Sequence, residues 1–544
     1  MRYLVSGKQA AEIDRHTIEE VGVPQLVLME RAALAVAEET AALIKDRDHD
    51  RILVVAESGN NGGDGIAAAR ILHQRGYSAE VWLLEGLAKQ SDAYKKQKEL
   101  AKKAGVPFVD LSGEAGAEPD VKTEDESDVQ TDAEYDVEIG VQSGVRKGHQ
   151  YSVIVDAIFG VGLTRDVTGV QAQAVTWINA RRAEGAKVVA VDIPTGLSSE
   201  SGEVLGKAVT ADRTVTFGFE KVGMLLAKDA VGTVSIPEIG FFLPEEFRYY
   251  TYNRTDVRRL LPSRSREGNK GSFGRVMVVA GSKDMSGAAY LAAEAAYCTG
   301  CGLVKVVTHE SNRPALQQLL PEAILKTYRD GLPSEAYEKS ILTEQDMKWA
   351  DVIILGPGIG TTETALQLTE QILRYAGCPV IVDADAINLL ADHTKILEET
   401  AGSRPLIMTP HMLEMTRLTE KSSHPVREAL ARLKKERIAI AEAAARMYGA
   451  TVVLKDAATF VTEGTAGGYL NSSGNDAMAK GGSGDVLTGV IAGLLAQGLA
   501  APQAARLGVY LHGLAGDTAR ERLGAYSVIA RDLLDAIPDV MRQE

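Results

Sequence analysis

The sequence predicts a two-domain α/β protein with a parallel, doubly wound sheet in each half. Three observations carry this. The chain has 544 residues, too many for one ordinary hydrophobic core. Short β-branched apolar runs alternate with helical patterns through both halves, as parallel strands linked by crossover helices do. The alternation weakens around residues 241–266, where Pro, aromatic and basic residues gather, as at a domain boundary.

In chain order, residues 7–20 and 25–44 read as amphipathic helices. Strands are expected at 52–56, 81–84, 151–155 and 187–191, with helices at 66–75 and 170–182 between them. Residues 112–150 interrupt the pattern. They are acidic from Glu114 to Glu138 and carry almost no large apolar side chain, so they read as a solvated, mobile insertion. The first domain is therefore placed at 1–245 with an insertion at 112–150, and the second at 255–544. In the second, strands are expected near 276–280, 303–308, 352–355, 380–382, 406–408 and 451–454, and helices near 287–299, 362–375, 425–448 and 485–497.

Composition narrows the function. A net charge of −15 argues against a general nucleic-acid binder, which needs a basic face. It leaves room for an anionic small ligand held by a few backbone N–H groups and a lysine. Cys298 and Cys301 form a CxxC without a second pair to complete a zinc site, and read as small core residues. The first residues lack an apolar signal-peptide core, and the longest apolar stretch, 489–501, is short of the ~20 residues that span a bilayer. No membrane association and a cytoplasmic location are the expectation.

Candidate chemistry lies at the strand ends. Ser58 to Gly65, SGNNGGDG, follows a strand and opens a helix. Its glycines, Gly59, Gly62, Gly63 and Gly65, permit positive φ and close backbone approach, and a helix start favours an anion. Asp156 and Gly160 to Asp166 follow the third strand, and Asp192 to Gly196 the next. In a parallel sheet these loops share a rim, so Asn61, Asp64, Asp156 and Asp192 can converge. Each Asp alone reads first as a helix cap; three such loops on one rim favour a site.

The segments NNGGDG, VDAIFGVGLTRDVTG and VDIPTGL resemble the YjeF N-terminal family, known for NAD(P)H-hydrate epimerase activity. The resemblance implies a Rossmann-like sheet over residues 1–245. It further implies that Asn61, Asp156 and Thr195 ligate a potassium ion, for which oxygen donors suit a hard cation. Asn60, Asn61, Gly62, Gly63 and Asp64, with Gly160, Val161, Gly162, Leu163, Thr164, Arg165 and Asp166, would line the substrate. Asp192 would contact it near the reacting carbon as the acid/base candidate. Lys221, in GFEKVG, reads as a surface lysine, with a weaker case for polar help.

In the second half, Lys480-Gly-Gly-Ser-Gly484-Asp485 leads into an apolar helical run. Backbone N–H groups of Gly482 to Gly484 can stabilise a transferring phosphate. Asp485, held ionised by the helix dipole, can deprotonate an attacking hydroxyl. GGSGDVLTG resembles the ribokinase-like superfamily. NKGSFGRVMVVAGS, SGAAYLAAEAA, LGPGIG, VDADAIN and TPHMLEM occur in the order of the ADP/ATP-dependent NAD(P)H-hydrate dehydratase family. That resemblance implies a ribokinase-like α/β domain in which Ala288, Gly358, His411 and Asp485 contact the hydrated cofactor (NADHX or NADPHX). Lys455, Asp456, Ala457, Ala458, Thr459 and Gly484 would contact the adenine nucleotide, ADP in preference to ATP, which brings Mg2+. Asp456 stands where that family typically has Gly. Asp383 and Asp385 read as caps or as Mg2+-linked groups. A homo-oligomer is implied by resemblance only. The alternatives are a vitamin or sugar kinase, and an N-terminal domain that binds ligand without catalysis.

Overall fold

The computed structural model describes residues 1–84, 90–112, 151–243, 246–330, 341–419, 426–465 and 467–542. The acidic run expected as an insertion lies, from residue 113 on, outside the described residues. The chain forms two compact units, Ser6–Pro244 and Met1–Val5 together with Glu245–Glu544. The sequence reading began the first domain at residue 1. The strand Arg2–Val5 instead pairs antiparallel with Tyr249–Thr251 in the second unit.

The first unit carries a parallel sheet in the order Phe108–Val109, Ser78–Leu83, Arg51–Ala56, Val153–Ala157, Lys187–Val191, Arg213–Val215, Thr233–Ser235. Its central strands have no exposed face: Leu53, Val54, Ile154, Val155, Val189 and Ala190 are fully buried, each large side chain contributing about 1.5–3 kcal/mol. Helices cover both faces, as the unalternating apolar runs predict. The strand order reverses between Arg51–Ala56 and Val153–Ala157. Such a switch point opens a crevice at the carboxyl ends of the two strands. The helix Gly7–Arg15 starts on a capping box, in which Gln9 N–H donates to Ser6 Oγ at 3.1 Å and Ser6 N–H to Gln9 Oε1 at 3.4 Å.

The second unit has a larger mixed sheet. Ile324–Tyr328, Leu303–His309, Arg275–Val279, Val352–Leu355, Val380–Val382, Leu406–Met408 and Thr451–Leu454 run parallel in that order. Phe460–Thr462 and Gly468–Leu470 continue it antiparallel. On one face the helix Ser483–Ala496 lies against Ser286–Cys298. A methyl group on Gly489 or Gly493 would collide with the Ala292 and Ala296 carbonyl oxygens. These glycines let the two backbones meet, and that contact fixes where the helix beginning at Ser483 points. Cys298 and Cys301 are free thiols that burial pushes up to about 11 and about 12.

Candidate active sites at the strand ends

In the first unit, the segment expected to turn from a strand into a helix at residue 66 is helix earlier: Asn60–Gln74 begins inside it. None of Gly59, Gly62, Gly63 and Gly65 has positive φ. What they supply is room. A Cβ on Gly62 would overlap the Glu57 carbonyl oxygen, one on Gly63 would press the Met29 thioether, and one on Gly65 would overlap the Ala157 Cβ. The helix N-terminus is thereby packed down on the switch point, with Asn60, Asn61 and Asp64 in its first turns.

Asp156 lies within the strand Val153–Ala157 rather than after it, and is fully buried. Its Oδ2 accepts the Thr195 N–H at 2.8 Å and its Oδ1 the Thr195 hydroxyl at 2.7 Å. Burial still pushes this carboxyl up to about 6 against those bonds. Asn61 is the third expected partner. Gly160 comes so close that a Cβ there would sit 3.2 Å from Asn61 Oδ1. Asn61 Nδ2 is buried with no hydrogen-bonding partner. Amide orientation is assigned from such networks, so a flipped Asn61 would turn an oxygen into that position. In the loop, Val161 and Leu163 tuck into apolar clusters, while Gly162, Thr164, Arg165 and Asp166 stay exposed.

Asp192 takes φ +66°, a left-handed conformation that a non-glycine residue holds only where its surroundings impose it. Lys221 is not a surface residue. It is 2 % exposed and pairs with Asp192 Oδ1 while donating to Thr216 Oγ1 at 2.7 Å. Asp64 is raised well above the ordinary carboxylate range by burial, then by the charges of Asp192 and Asp14. Asp14, on the helix Gly7–Arg15, is raised by burial and by Asp192. Sequence reasoning missed Asp14, which has no local motif. Lys221 did carry a signal, its apolar and glycine neighbours Phe219, Val222 and Gly223.

In the second unit the expected residues gather on the carboxyl edge of the parallel strands. Asp383 follows Val380–Val382. One of its oxygens accepts Lys455 Nζ at 2.7 Å and the other the Thr488 hydroxyl at 2.8 Å. The next residue, Ala384, is the second non-glycine with positive φ, at +49°. The twist lets Asp385 turn to accept the Gly360 N–H at 2.8 Å. Gly482, at φ +90°, caps the helix Ser483–Ala496. A Cβ on Gly484 would lie 3.5 Å from Lys455 Nζ and 4.0 Å from Asp383 Oδ2. The glycine thus leaves an open cradle over an ammonium group at a helix N-terminus, which suits a phosphate.

Asp485 stands in the first turn of that helix. The expectation that the dipole holds it ionised is corrected: burial, then the negative Asp383, push it up to about 7, and Lys455 only partly opposes them. Ala288 and Gly358 are neighbours, a Cβ on Gly358 falling 2.9 Å from that of Ala288. His411 Nδ1 accepts the Leu413 and Glu414 N–H groups at 3.1 and 3.2 Å, and its Nε2 lies 3.3 Å from Glu414 Oε1. Burial lowers its proton affinity, and the ring is half-exposed. In the expected nucleotide loop Ala458 and Thr459 are buried, while Asp456 and Ala457 face outward. Asp456 Oδ2 pairs with Arg437 at 2.7 Å, which neutralises the carboxylate standing in the glycine position.

Residues 25–223 match the family described as the YjeF-related protein N-terminus, and residues 276–539 match the NAD(P)H-hydrate dehydratase family. The bifunctional NAD(P)H-hydrate repair enzyme of Moorella thermoacetica is 34% identical over 99% of this chain and 97% of its own. That of Escherichia coli is 30% identical over 98% and 92%. Among solved structures, the ADP/ATP-dependent NAD(P)H-hydrate dehydratase from Bacillus subtilis, co-crystallised with ATP and Mg2+, is 34% identical, covering 53% of this chain and 96% of that one with a TM-score of 0.45. The chain belongs to the family of bifunctional NAD(P)H-hydrate repair enzymes, with an epimerase unit ahead of a dehydratase unit.

Proposed function

We propose that the chain returns both epimers of hydrated NADH and NADPH to the reduced cofactor. The first unit interconverts the epimers at C6 with Asp192 as acid/base. The second dehydrates the S epimer at the expense of ADP. The observation that carries the reading is Asp485, a carboxyl near 7 beside an open glycine cradle and a helix N-terminus. A base of that proton affinity is matched to deprotonating a hydroxyl at neutral pH.

In the second unit Asp485 takes the proton of the C6 hydroxyl, whose oxygen attacks the terminal phosphorus of ADP. The new O–P bond forms as the phosphoanhydride breaks and AMP leaves. The Gly482 to Gly484 N–H groups and Lys455 stabilise the charge on the transferring group. The ring nitrogen then pushes out inorganic phosphate from C6, a far better leaving group than hydroxide. Loss of a proton from C5 restores the double bond. Ala288, Gly358 and His411 would hold the nicotinamide end, and Lys455 to Thr459 with Gly484 the nucleotide. Mg2+, when it arrives with the nucleotide, supplies charge neutralisation. Both Asp383 oxygens are engaged and Asp385 caps Gly360, so the phosphates rather than a carboxylate cage would carry the ion.

In the first unit Asn61, Asp156 and Thr195 suit a potassium ion. They offer oxygen donors, one buried amide end without a partner, and a carboxyl that burial pushes up to about 6. When bound, the ion supplies that charge. The working form is proposed as a cytoplasmic homo-oligomer on resemblance alone. Among the described residues no helix is long and apolar enough to cross a membrane.

The test is stoichiometry. With ADP and Mg2+, each molecule of restored cofactor should be matched by one inorganic phosphate. A phosphorylated product that accumulates without restored cofactor would replace this reading with a small-molecule kinase.

A further inference from the structure

The first unit buries a cation to which neither the family motifs nor the comparisons give a role. Lys221 lies in the short strand Glu220–Lys221 and is nearly inaccessible. A buried ammonium group is costly to desolvate unless it is paired. Its partners are the Asp192 carboxylate and the Thr216 hydroxyl, which itself reaches Asp192 Oδ1 at 3.3 Å. The Asp192 N–H donates to the Val215 carbonyl at 2.8 Å. Backbone and side chain are thus both pinned in the left-handed conformation, while Oδ2 accepts no hydrogen bond from a described residue. The other titratable groups acting on Asp192 are Asp14, on the helix Gly7–Arg15, and Asp64, on the helix Asn60–Gln74. Neither has an ion-pair partner among the described residues. The Lys221 ammonium group is therefore bound to Asp192, and Asp14 and Asp64 are left without one among the described residues.

We propose that Lys221 is the positioning residue that fixes Asp192 as the ionised, proton-accepting carboxylate of the epimerase, and that Asp64 is the proton-bearing counterpart. The inference rests on the epimerase reading of this unit. The upward displacement of Asp64 and Asp14 by burial and by the Asp192 charge agrees with it, since two carboxyls crowded together do not both ionise. Asp64 gives its proton to the C6 hydroxyl of the substrate. The C6–O bond breaks to release water, and the ring-nitrogen lone pair closes a nitrogen–carbon double bond. Water then adds to the opposite face of C6, the electron pair returns to nitrogen, and Asp192 takes the released proton. Proton return from Asp192 to Asp64 resets the site.

The experiment measures epimerisation in the full chain without nucleotide, so that dehydration is off. A single purified epimer of hydrated NADH is followed by chromatography from pH 5 to 9, with the uncatalysed rate subtracted. Without Lys221 the carboxylate that takes the proton loses its only paired positive charge among the described residues, so activity must await a higher pH. The acid limb of kcat/KM in Lys221→Met should move up by about 1–3 pH units, with recovery at the alkaline end. Lys221→Arg should keep the original limb. If Lys221→Met loses its melting transition, Lys221→Gln supplies the same profile, because it keeps a donor while removing the charge. A loss equal at every pH, or an unmoved limb, would overturn the assignment. The underlying reading fails separately: an Asp192→Asn variant at full rate would remove the site itself, whereas an inactive Asp192→Asn with unmoved Lys221 profiles would remove only the role of Lys221.

Discussion

Replacing Asp485 by Asn should stabilise the dehydratase unit while disabling it. The Asp485 carboxyl is raised from 3.8 to about 7, roughly three units, and each unit corresponds to about 1.36 kcal/mol. The ceiling is then ~4 kcal/mol of strain in the ionised form. Asp485 is only partly buried, so solvent screening reduces this to about 2 kcal/mol. The sign follows from linkage. The folded state holds the proton more tightly than the unfolded chain, so the penalty is fully present above pH 7. It shrinks as pH falls from 7 towards 4 and vanishes where both states are protonated. The advantage of Asn should follow the same course, a gain of several degrees in the melting of this unit at pH 8 that fades by pH 4. Single-turnover dehydration should fall by about 10²–10⁴, the usual worth of a general base. A variant less stable than wild type at pH 8, or one retaining a tenth of the rate, would refute the idea that the site stores strain in an ionised base.

Other consequences are as direct. Potassium, compared with a bulky monovalent cation, should raise the melting temperature of the epimerase unit, and Asp156→Asn should abolish the difference; at a hundredfold excess over Kd the gain is about 2.7 kcal/mol. Gly484→Ala should fold with stability within about 1 kcal/mol of wild type, because the added Cβ meets only Lys455 Nζ at 3.5 Å and Asp383 Oδ2 at 4.0 Å. It nonetheless fills the anion cradle, so phosphate release should drop by about 10²–10³; a normal rate would place the phosphate elsewhere. For the native dehydratase, kcat/KM should lose activity below an apparent value near 7 as Asp485 protonates, and a profile flat to pH 5 would contradict its role as base.

Much of the fold is legible in the sequence because the central strands of both sheets run parallel and are buried on two faces. Runs such as Ile52–Ala56 and Val276–Val279 must then be apolar throughout, and strand ends carry the motifs. Helix starts are harder to read. NNGGDG reads as a turn ahead of a helix since glycine disfavours helix, yet it is already helical and its glycines serve packing against Glu57, Met29 and Ala157. The first strand, Arg2–Val5, pairs with Tyr249–Thr251 some 250 residues later, a contact that local pattern does not encode. The same holds within the sites. Asp156, Asp192, Gly484 and Asp485 announce themselves by position near the end of a strand or the start of a helix. Asp14 and Lys221 matter only through what the fold places beside them. The charge state of Asp485 shows the limit most clearly, since a helix N-terminus predicts one direction and burial beside Asp383 produces the other.

The most direct test of the account is recovery of reduced cofactor from a mixture of both hydrated NADH epimers, given Mg2+ with ADP or with ATP. The wild-type chain should convert the whole mixture with its preferred nucleotide. Asp192→Ala should stop at the directly usable epimer, and Asp485→Asn should recover almost none. No recovery by the wild-type chain with either nucleotide would contradict the account.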